Sequence, residues 1–210
     1  MNEIKGKTFS LVEDNQPIDG LTISYKMKSD MVLFSLGRKT DISSESYDFP
    51  CFIHVLSGKG KFNDKEVSLG DFLFYAADEP VGKKTEDGVV YVEYHLSKEN
   101  TTMTDKIKTG EIYKLKDLLP YQKDKVINLD VFHTEKSKLA LISMAEGTAL
   151  DAHKAPGEAL LFILDGEATI SYEGKDFKVK AGDNFSFAKG GLHALHADKD
   201  FKFALLLELC

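Results

Sequence analysis

The chain has 210 residues, of which 27 are basic and 34 acidic, and its formal net charge is −7. Its basic residues are scattered singly or in pairs such as Lys83-Lys84, whereas nucleic-acid binding needs clustered positive charge. Nucleic acid and anionic membranes are therefore excluded as main partners. Apolar residues make up 42% and charged residues 29% of the chain, so we expect it to fold around a hydrophobic core.

Neither a membrane span nor a disulfide scaffold is expected. The longest apolar run, Phe203 to Leu207, is far shorter than the ~20 residues that cross a bilayer. A secretory signal peptide has an apolar segment after its charged residues, and no such segment follows the charged residues among the first five. We therefore expect a soluble, cytoplasmic protein. Cys51 and Cys210 have no partner at metal-ligand spacing, and we interpret both as free thiols, with Cys51 as a small buried apolar side chain.

Short apolar segments between Gly, Asp or Lys turns predict an all-β protein, because helical periodicity is almost absent. Many short strands at this spacing are typical of a sandwich or barrel. In chain order, the clearest predicted strands cover residues 31–36, 52–56, 89–94, 139–144 and 160–164, and a brief helix is predicted at 116–119, before Pro120.

An internal repeat divides the chain into two halves. The segment around Gly58 (VLSG) matches the segment around Gly166 (ILDG) at an offset of 108 residues, and Gly70-Asp71 matches Gly182-Asp183 at an offset of 112. The extra four residues fall in a hairpin turn at 172–175, where a loop lengthens at little cost. We therefore predict an N-terminal domain with its linker at 1–104 and a second domain at 105–210, each large enough for one small β-barrel.

The second half carries an ordered series of glycines and histidines. In chain order these are Gly147, His153, Gly166, Gly182 and His193, with five residues between Gly147 and His153. The series resembles the two signature motifs of the cupin superfamily, whose members are small jelly-roll barrels.

The resemblance covers residues 111–209 well and, through the repeat, extends more weakly to 20–98. It implies two tandem cupin-type jelly-roll β-barrels, which is the architecture of a bicupin. In the first half, the positions equivalent to the two motif histidines are Glu45 and Val81. The N-terminal cupin is therefore expected to be degenerate and to have a structural role.

Cupins that hold a divalent ion such as Fe, Mn, Zn or Ni typically use a His-x-His pair, a Glu and a second-motif His. By this resemblance His153 and His193 are candidate metal ligands, whereas Ala155 and Ala159 stand at the other two positions. Glu158 lies one residue from the expected glutamate, and a one-residue shift on a strand turns a side chain to the opposite face. It could ligate only if the turn at 156–157 breaks the alternation.

Strand alternation also predicts a ligand-binding face inside the second barrel. An apolar pocket with a few convergent polar groups is typical of a small-molecule site. The alternative is that the same apolar side chains simply fill a small barrel. The candidate ligand-binding residues are His153, Glu158, Leu161, Ile163, Phe185, Phe187, His193 and Leu195.

The remaining histidines are expected to lie outside the site. His54 and His95 are predicted at the surface or at an interface, and His196, three residues after His193, is predicted to face outward.

These features favour a binding module whose C-terminal barrel holds a small, partly apolar ligand near His153 and His193, with or without a weakly held divalent metal. The alternative is a metal-dependent enzyme of the dioxygenase or isomerase type that uses both histidines and Glu158. A third hypothesis is a sensor or scaffold that acts through its outer sheet surface. A homodimer formed through an outer strand is also expected.

Overall fold

A computed structural model describes residues 5–27, 30–97 and 100–209, so Cys210 lies outside the described residues. Strands dominate this part of the chain, and the helices in it are two single turns of 3-10 helix, Glu13–Asn15 and Leu115–Asp117. The predicted all-β fold class is therefore confirmed. Within the described residues, no helix has the length and apolar character needed to cross a bilayer.

The strands follow the predicted apolar segments and add short edge strands between them. The first eleven are β1 (Thr8–Phe9), β2 (Thr22–Lys26), β3 (Met31–Leu36), β4 (Thr40–Glu45), β5 (Cys51–Phe62), β6 (Lys65–Ser68), β7 (Asp71–Tyr75), β8 (Val81–Thr85), β9 (Val89–His95), β10 (Thr102–Met103) and β11 (Ile112–Lys114). The others are β12 (Val126–His133), β13 (Ser137–Met144), β14 (Ala149–Lys154), β15 (Ala159–Asp165), β16 (Glu167–Tyr172), β17 (Lys175–Lys180), β18 (Asn184–Phe187), β19 (Leu192–Ala197) and β20 (Phe201–Glu208).

These strands form two compact units. One unit, called the N-terminal barrel below, comprises Val12–Thr101 and Asp105–Leu115. The other, called the C-terminal barrel, comprises the chain up to Leu11, Thr102–Thr104 and the chain from Lys116 onward. Neither unit is continuous along the chain, because each includes a short segment from the far side of residue 105.

The C-terminal barrel is built from two antiparallel sheets. One has the strand order β1-β18-β15-β20-β13-β12-β10, and the other has the order β14-β19-β16-β17. The apolar residues of β15 and β18 alternate so that Leu161 and Phe185 point into the core, where both are fully buried. The interior of this barrel is therefore a hydrophobic core between the two sheets.

The N-terminal barrel repeats the same strand order. Its main sheet has the strand order β11-β7-β5-β9-β3-β2. The second face is formed by β4, β8 and β6, in which β4 pairs with β8, and both β8 and β6 pair with β5. The single strand β5 serves both faces, since Cys51–Gly58 pairs with β9 and Lys59–Phe62 pairs with β6. In the C-terminal barrel the same course is divided between β15 and β16 around Gly166. The sequence repeat thus corresponds to a repeated fold.

His54 is buried and so does not lie at the surface, which was one of its two predicted positions; the other, at an interface, stays a prediction. Its side chain is 2% exposed, and its ring lies 5.9 Å from the ring of Phe72. All five residues from Cys51 to Val55 are buried, so both faces of this part of β5 are covered. Burial lowers the pKa of His54 to about 4.

Acid is expected to destabilise the N-terminal barrel through His54. The ordinary pKa of histidine is 6.5, and that of His54 in the folded barrel is about 4. Between these two pH values His54 is protonated in the unfolded chain and neutral in the folded barrel. The neutral imidazole therefore contributes stability above pH 6.5 that is lost as the pH falls toward 4, by roughly 3 kcal/mol in total. Urea unfolding of the protein and of His54→Leu from pH 7 to pH 4 measures this loss, which the variant should lack.

The matched control for this prediction is His196→Gln, because His196 is exposed. It should keep the acid sensitivity of the unchanged protein. An equal loss of stability in His54→Leu would contradict the assignment.

Candidate functional site

The C-terminal barrel brings His153 and His193 together. The strands β14 and β19 pair in a register that sets these residues directly opposite each other, after a bulge between Leu150 and His153. Their ring centroids are 4.2 Å apart and their planes are inclined by 53°. Two imidazoles distant in sequence therefore form one pair at the end of this sheet.

Backbone carbonyls fix the tautomer of both rings. Nδ1 of His153 lies 2.8 Å from the carbonyl oxygen of Asp151, and Nδ1 of His193 lies 3.1 Å from that of Gly191. A carbonyl oxygen only accepts hydrogen bonds, so each Nδ1 carries the proton. Each neutral imidazole then presents its unprotonated Nε2 as an acceptor or as a metal ligand.

The two histidines differ in burial. His193 is 7% exposed and stacks on Phe187, with ring centroids 4.0 Å apart, whereas His153 is exposed. Burial lowers the pKa of His193 below its ordinary value, and the neighbouring His153 lowers it further, although the Gly191 carbonyl opposes both effects. His193 therefore remains neutral at pH 7, as an accepting or ligating imidazole must.

Glu158 is engaged elsewhere. Its carboxylate forms an ion pair with Lys5 Nζ, and its carbonyl oxygen accepts a hydrogen bond from the Glu208 amide. Among the described residues, no third His, Cys, Asp or Glu side chain joins His153 and His193 in a cluster of potential metal ligands. The donor set at this pair is therefore two imidazoles.

The other predicted ligand-binding residues lie in the packed core. They are at most 3% exposed and belong to one hydrophobic cluster, which also includes Ala155 and Ala159. Among these residues, Phe187 pairs with Ala159 across β15 and β18, and its ring centroid lies 5.3 Å from that of Phe185. These core residues are Leu161, Ile163, Phe185, Phe187 and Leu195.

A cavity of about 320 Å³ opens at another part of the same barrel. Its wall is mainly apolar, with the side chains of Asn128 and Lys138 as polar groups. None of the candidate ligand-binding residues lines it. The lining residues are Val126, Ile127, Asn128, Lys138, Ala140, Ile142, Leu150, Leu205 and Leu207.

Strand pairing relates this cavity to the histidine pair. Leu150 lies on β14, the strand that carries His153. Phe187, on which His193 stacks, pairs with Ala159, and Ala159 pairs in turn with the lining residue Leu207. Adjacent strands are about 4.8 Å apart, so two strand spacings separate the stacked phenylalanine from the cavity wall.

The N-terminal barrel lacks the histidine pair but contains a polar cluster that the sequence analysis did not identify. Glu45 pairs with Val81 in the register that His153 and His193 occupy in the other barrel. Nearby, Cys51, Glu93 and His95 bring one potential metal-ligating atom each to within 4.8 Å of one another. His95, predicted at the surface or at an interface, instead has a side chain that is only 23% exposed.

Charge is buried at this cluster. Glu93 is fully buried, and its carboxylate lies 2.9 Å from Nζ of the buried Lys83 and 3.1 Å from Nε2 of His95. Burial alone would raise the pKa of Glu93, but His95 and Lys83 outweigh it and hold the pKa below its ordinary value. Burial and the charge of Glu93 raise the pKa of the Cys51 thiol, and Lys83 opposes them in part.

A signal for this cluster is present in the sequence. At the offset of 112 residues, Glu93 and His95 correspond to Leu205 and Leu207, and Lys83 corresponds to Leu195. All three leucines are interior residues of the C-terminal barrel. The repeat therefore aligns three ionisable residues of the first half with three leucines of the second half. This difference is visible when all interior positions are aligned, and not only the motif histidines.

Comparison with known proteins supports the fold. Residues 140–208 match the family model of the cupin domain. The structure of a cupin 2 conserved barrel domain protein from Leptotrichia buccalis is 24% identical, with 99% of each chain covered and a TM-score of 0.83. No curated protein matches the chain.

Two larger enzymes share the architecture. Salicylate 1,2-dioxygenase from Pseudaminobacter salicylatoxidans is 12% identical over 89% of this chain and 76% of its own, with a TM-score of 0.61. Oxalate decarboxylase from Bacillus subtilis, which has Mn(II) centres, is 12% identical over 99% of this chain and 78% of its own, with a TM-score of 0.56. At 12% identity, the similarity to these two enzymes shows a shared fold and nothing more.

Proposed function

Because residues 140–208 match the cupin domain and the chain folds into two barrels, we propose that its C-terminal barrel binds a small, partly apolar molecule beside His153 and His193. The apolar part of the molecule occupies the cavity of about 320 Å³. Its polar end, or a weakly held divalent ion that the molecule helps to ligate, meets the two imidazoles.

The fixed tautomers of the imidazole pair carry this proposal. With both Nδ1 atoms bonded to backbone carbonyls, two Nε2 lone pairs are available to one hydroxyl or ammonium donor or to one metal ion. A ring nitrogen held in this way is the usual arrangement of a metal-ligating histidine. Histidines that served packing alone would not need this orientation in both the buried and the exposed member of the pair.

The cavity suits the apolar part of such a molecule. Its volume lies at the small end of the range for small-molecule sites, and its mainly aliphatic wall with two polar groups has their usual composition. Lys138 contributes a positive charge to the rim, although its Nζ also lies 2.8 Å from a carboxylate oxygen of Asp130. A small molecule with a hydroxyl end and an apolar body fits this lining and the two accepting imidazole nitrogens.

The second candidate function is a metal-dependent enzyme of the dioxygenase or isomerase type. The available Nε2 atoms favour it, because two protein ligands leave open positions for substrate and water, as catalytic metal sites require. Such an ion would be held more weakly than in a site with three or four protein ligands. Since Glu158 is paired with Lys5, it is not part of this donor set.

Titration with Mn²⁺ tests the imidazole pair. In the full chain labelled with ¹⁵N at histidine, the paramagnetic ion should broaden the His153 and His193 resonances before those of His196. His153→Ala should weaken this binding at least about tenfold, which corresponds to 1.4 kcal/mol. The matched control is His196→Ala, an exposed histidine of the same strand β19, which should bind as the unchanged protein does.

Native mass spectrometry of the purified protein tests the cavity. A co-purified small molecule should be present in the unchanged protein and lost in Ala140→Leu, which fills the cavity wall without touching the imidazoles. Stoichiometric metal that is lost in His153→Ala but kept in Ala140→Leu would favour the enzyme. Binding of neither ion nor small molecule in a folded protein would overturn the proposed function.

A further inference from the structure

Three chemically active side chains lie in one row across the N-terminal barrel. Cys51 of β5 is directly opposite Tyr75 of β7 on one side and His95 of β9 on the other. Directly opposed residues of antiparallel strands project from the same face of a sheet. Glu93 lies two residues before His95 and so projects from that face as well.

The spacing of these groups suits a divalent ion. The Sγ of Cys51, one carboxylate oxygen of Glu93 and one imidazole nitrogen of His95 all lie within 4.8 Å of one another. In a tetrahedral zinc site, bonds of about 2.0–2.3 Å set neighbouring ligand atoms roughly 3.3–3.7 Å apart. Nε2 of His95 and Oε2 of Glu93 are 3.1 Å apart, which is close to this spacing, and the Cys51 Sγ lies within 4.8 Å of both.

The surroundings of the cluster support a bound ion. Lys83 lies 2.9 Å from Oε1 of Glu93, the oxygen that does not face His95, so it can hold the carboxylate while Oε2 ligates, as ligating carboxylates usually require. A small cavity of about 10 Å³, roughly the space of one water molecule, is lined by Cys51, Glu93 and Tyr75. Within the described residues, the buried Tyr75 hydroxyl has no hydrogen-bond partner.

We propose that the N-terminal barrel is a zinc-binding domain in which Cys51 Sγ, Glu93 Oε2 and His95 Nε2 ligate one Zn²⁺ ion. Binding breaks the S–H bond of Cys51, forms a zinc–sulfur bond and releases the proton to solvent. In the metal-free protein Nε2 of His95 donates its hydrogen to Oε2 of Glu93, because a carboxylate oxygen only accepts. On binding, this proton leaves Nε2 and the ring takes up one at Nδ1, so the neutral ring ligates through Nε2 and the net release is the one proton from Cys51. The fourth position faces the small cavity, where a water molecule completes the coordination and can donate a hydrogen bond to the Tyr75 hydroxyl.

The repeat supplies an internal comparison. In the C-terminal barrel the row corresponding to Tyr75, Cys51 and His95 is Phe187, Ala159 and Leu207. The C-terminal barrel therefore has the same strand register, but its three residues in this row carry no side-chain atom that could ligate a metal ion. A site that depends on the row must lie in the N-terminal barrel and be independent of His153.

Cobalt substitution tests the site directly. Metal-free, reduced full-length protein is titrated with Co²⁺, whose bond to a thiolate produces an intense charge-transfer band in the near ultraviolet. One equivalent should saturate the band, one equivalent of Zn²⁺ should abolish it, and about one proton should be released for each ion bound. A protein with no thiolate band, or with one that no Zn²⁺ displaces, would overturn the proposal.

Four variants make the result specific. Cys51→Ala should lose the band, and His95→Gln should weaken Co²⁺ binding at least about tenfold. Cys210→Ala and His153→Ala should retain it, which separates this site from the other thiol and from the proposed ligand site. Circular dichroism confirms that each variant is folded, and a band that persists in folded Cys51→Ala would also contradict the assignment.

Discussion

Replacing Lys83 with methionine is expected to lower the free energy of unfolding of the N-terminal barrel by about 3–5 kcal/mol at pH 7. Lys83 and Glu93 are both buried, with side chains that are 2% and 0% exposed, and their charged atoms are 2.9 Å apart. Methionine matches the length of the lysine stem but leaves the Glu93 carboxylate in the core without its ammonium partner. An uncompensated buried charge is among the most destabilising single changes.

The cost of Lys83→Met should depend on pH in a defined direction. In the unchanged protein the pKa of Glu93 is held below its ordinary value, so the ionised carboxylate contributes stability above the unfolded pKa of about 4.5 that is lost as the pH falls through the folded pKa. Without Lys83 the hydrogen bond from His95 still opposes burial, but one stabilising charge is lost, so the carboxyl takes up a proton at higher pH than in the unchanged protein. The difference between variant and unchanged protein should therefore shrink on acidification.

Hydrogen exchange of peptides from β5 and β9 measures this effect in the unit that contains the pair, and urea unfolding gives the total. The double variant Lys83→Met, Glu93→Leu is the control, because replacing both charges with apolar groups is often neutral or stabilising. Lys138→Met, at an ion pair whose two side chains are 29% and 48% exposed, should cost less than about 1 kcal/mol. A cost of that small size at Lys83 would show that the buried pair is not coupled.

The sequence predicts the architecture well because its signals are local. Short apolar segments between turn residues mark β3, β9 and β13 within a few residues, and the repeat predicts that the two halves share one strand order. The proximity of His153 and His193 was also predictable, since the family motifs place them on β14 and β19, whose pairing the barrel requires.

Other features depend on packing that alternation cannot show. His54 has the alternation of an outward-facing residue, but both faces of that part of β5 are covered. Whether Phe185 and Phe187 line a pocket or close it depends on how tightly the two sheets pack, which is a property of the whole core. The two-residue strand β1, which pairs with β18, is too short to have a period.

Pairing across strands explains why the cluster of Cys51, Glu93 and His95 was missed. Along the chain, the histidine near Cys51 is His54, which at three residues' distance on a strand projects from the opposite face. The potential ligands beside Cys51 in space come from β9 through the strand register. The positions equivalent to the two motif histidines are Glu45 and Val81, and neither belongs to this cluster. Register, more than motif position, decides which side chains meet inside a barrel.

The motif glycine of the C-terminal barrel should tolerate no side chain. Gly166 has φ +74°, and a Cβ built on it would lie 1.8 Å from the carbonyl oxygen of Asp200 and 3.1 Å from the Cα of Phe201. The left-handed conformation costs a non-glycine residue about 1–2 kcal/mol, and displacing the start of β20 to relieve the overlap adds about 1–3 kcal/mol. Gly166→Ala should therefore lower the free energy of unfolding by roughly 3 kcal/mol or more.

Gly174→Ala separates the two causes of this loss. Gly174 also has a positive φ, +76°, but nothing lies within 4 Å of a Cβ built there, so only the conformational cost of about 1–2 kcal/mol remains. Urea unfolding followed by far-ultraviolet circular dichroism compares the variants, and exchange of β20 amides should increase in Gly166→Ala alone. Equal costs at the two glycines would mean that the backbone of β20 moves away freely, and that the close approach at Gly166 does not hold this end of the barrel.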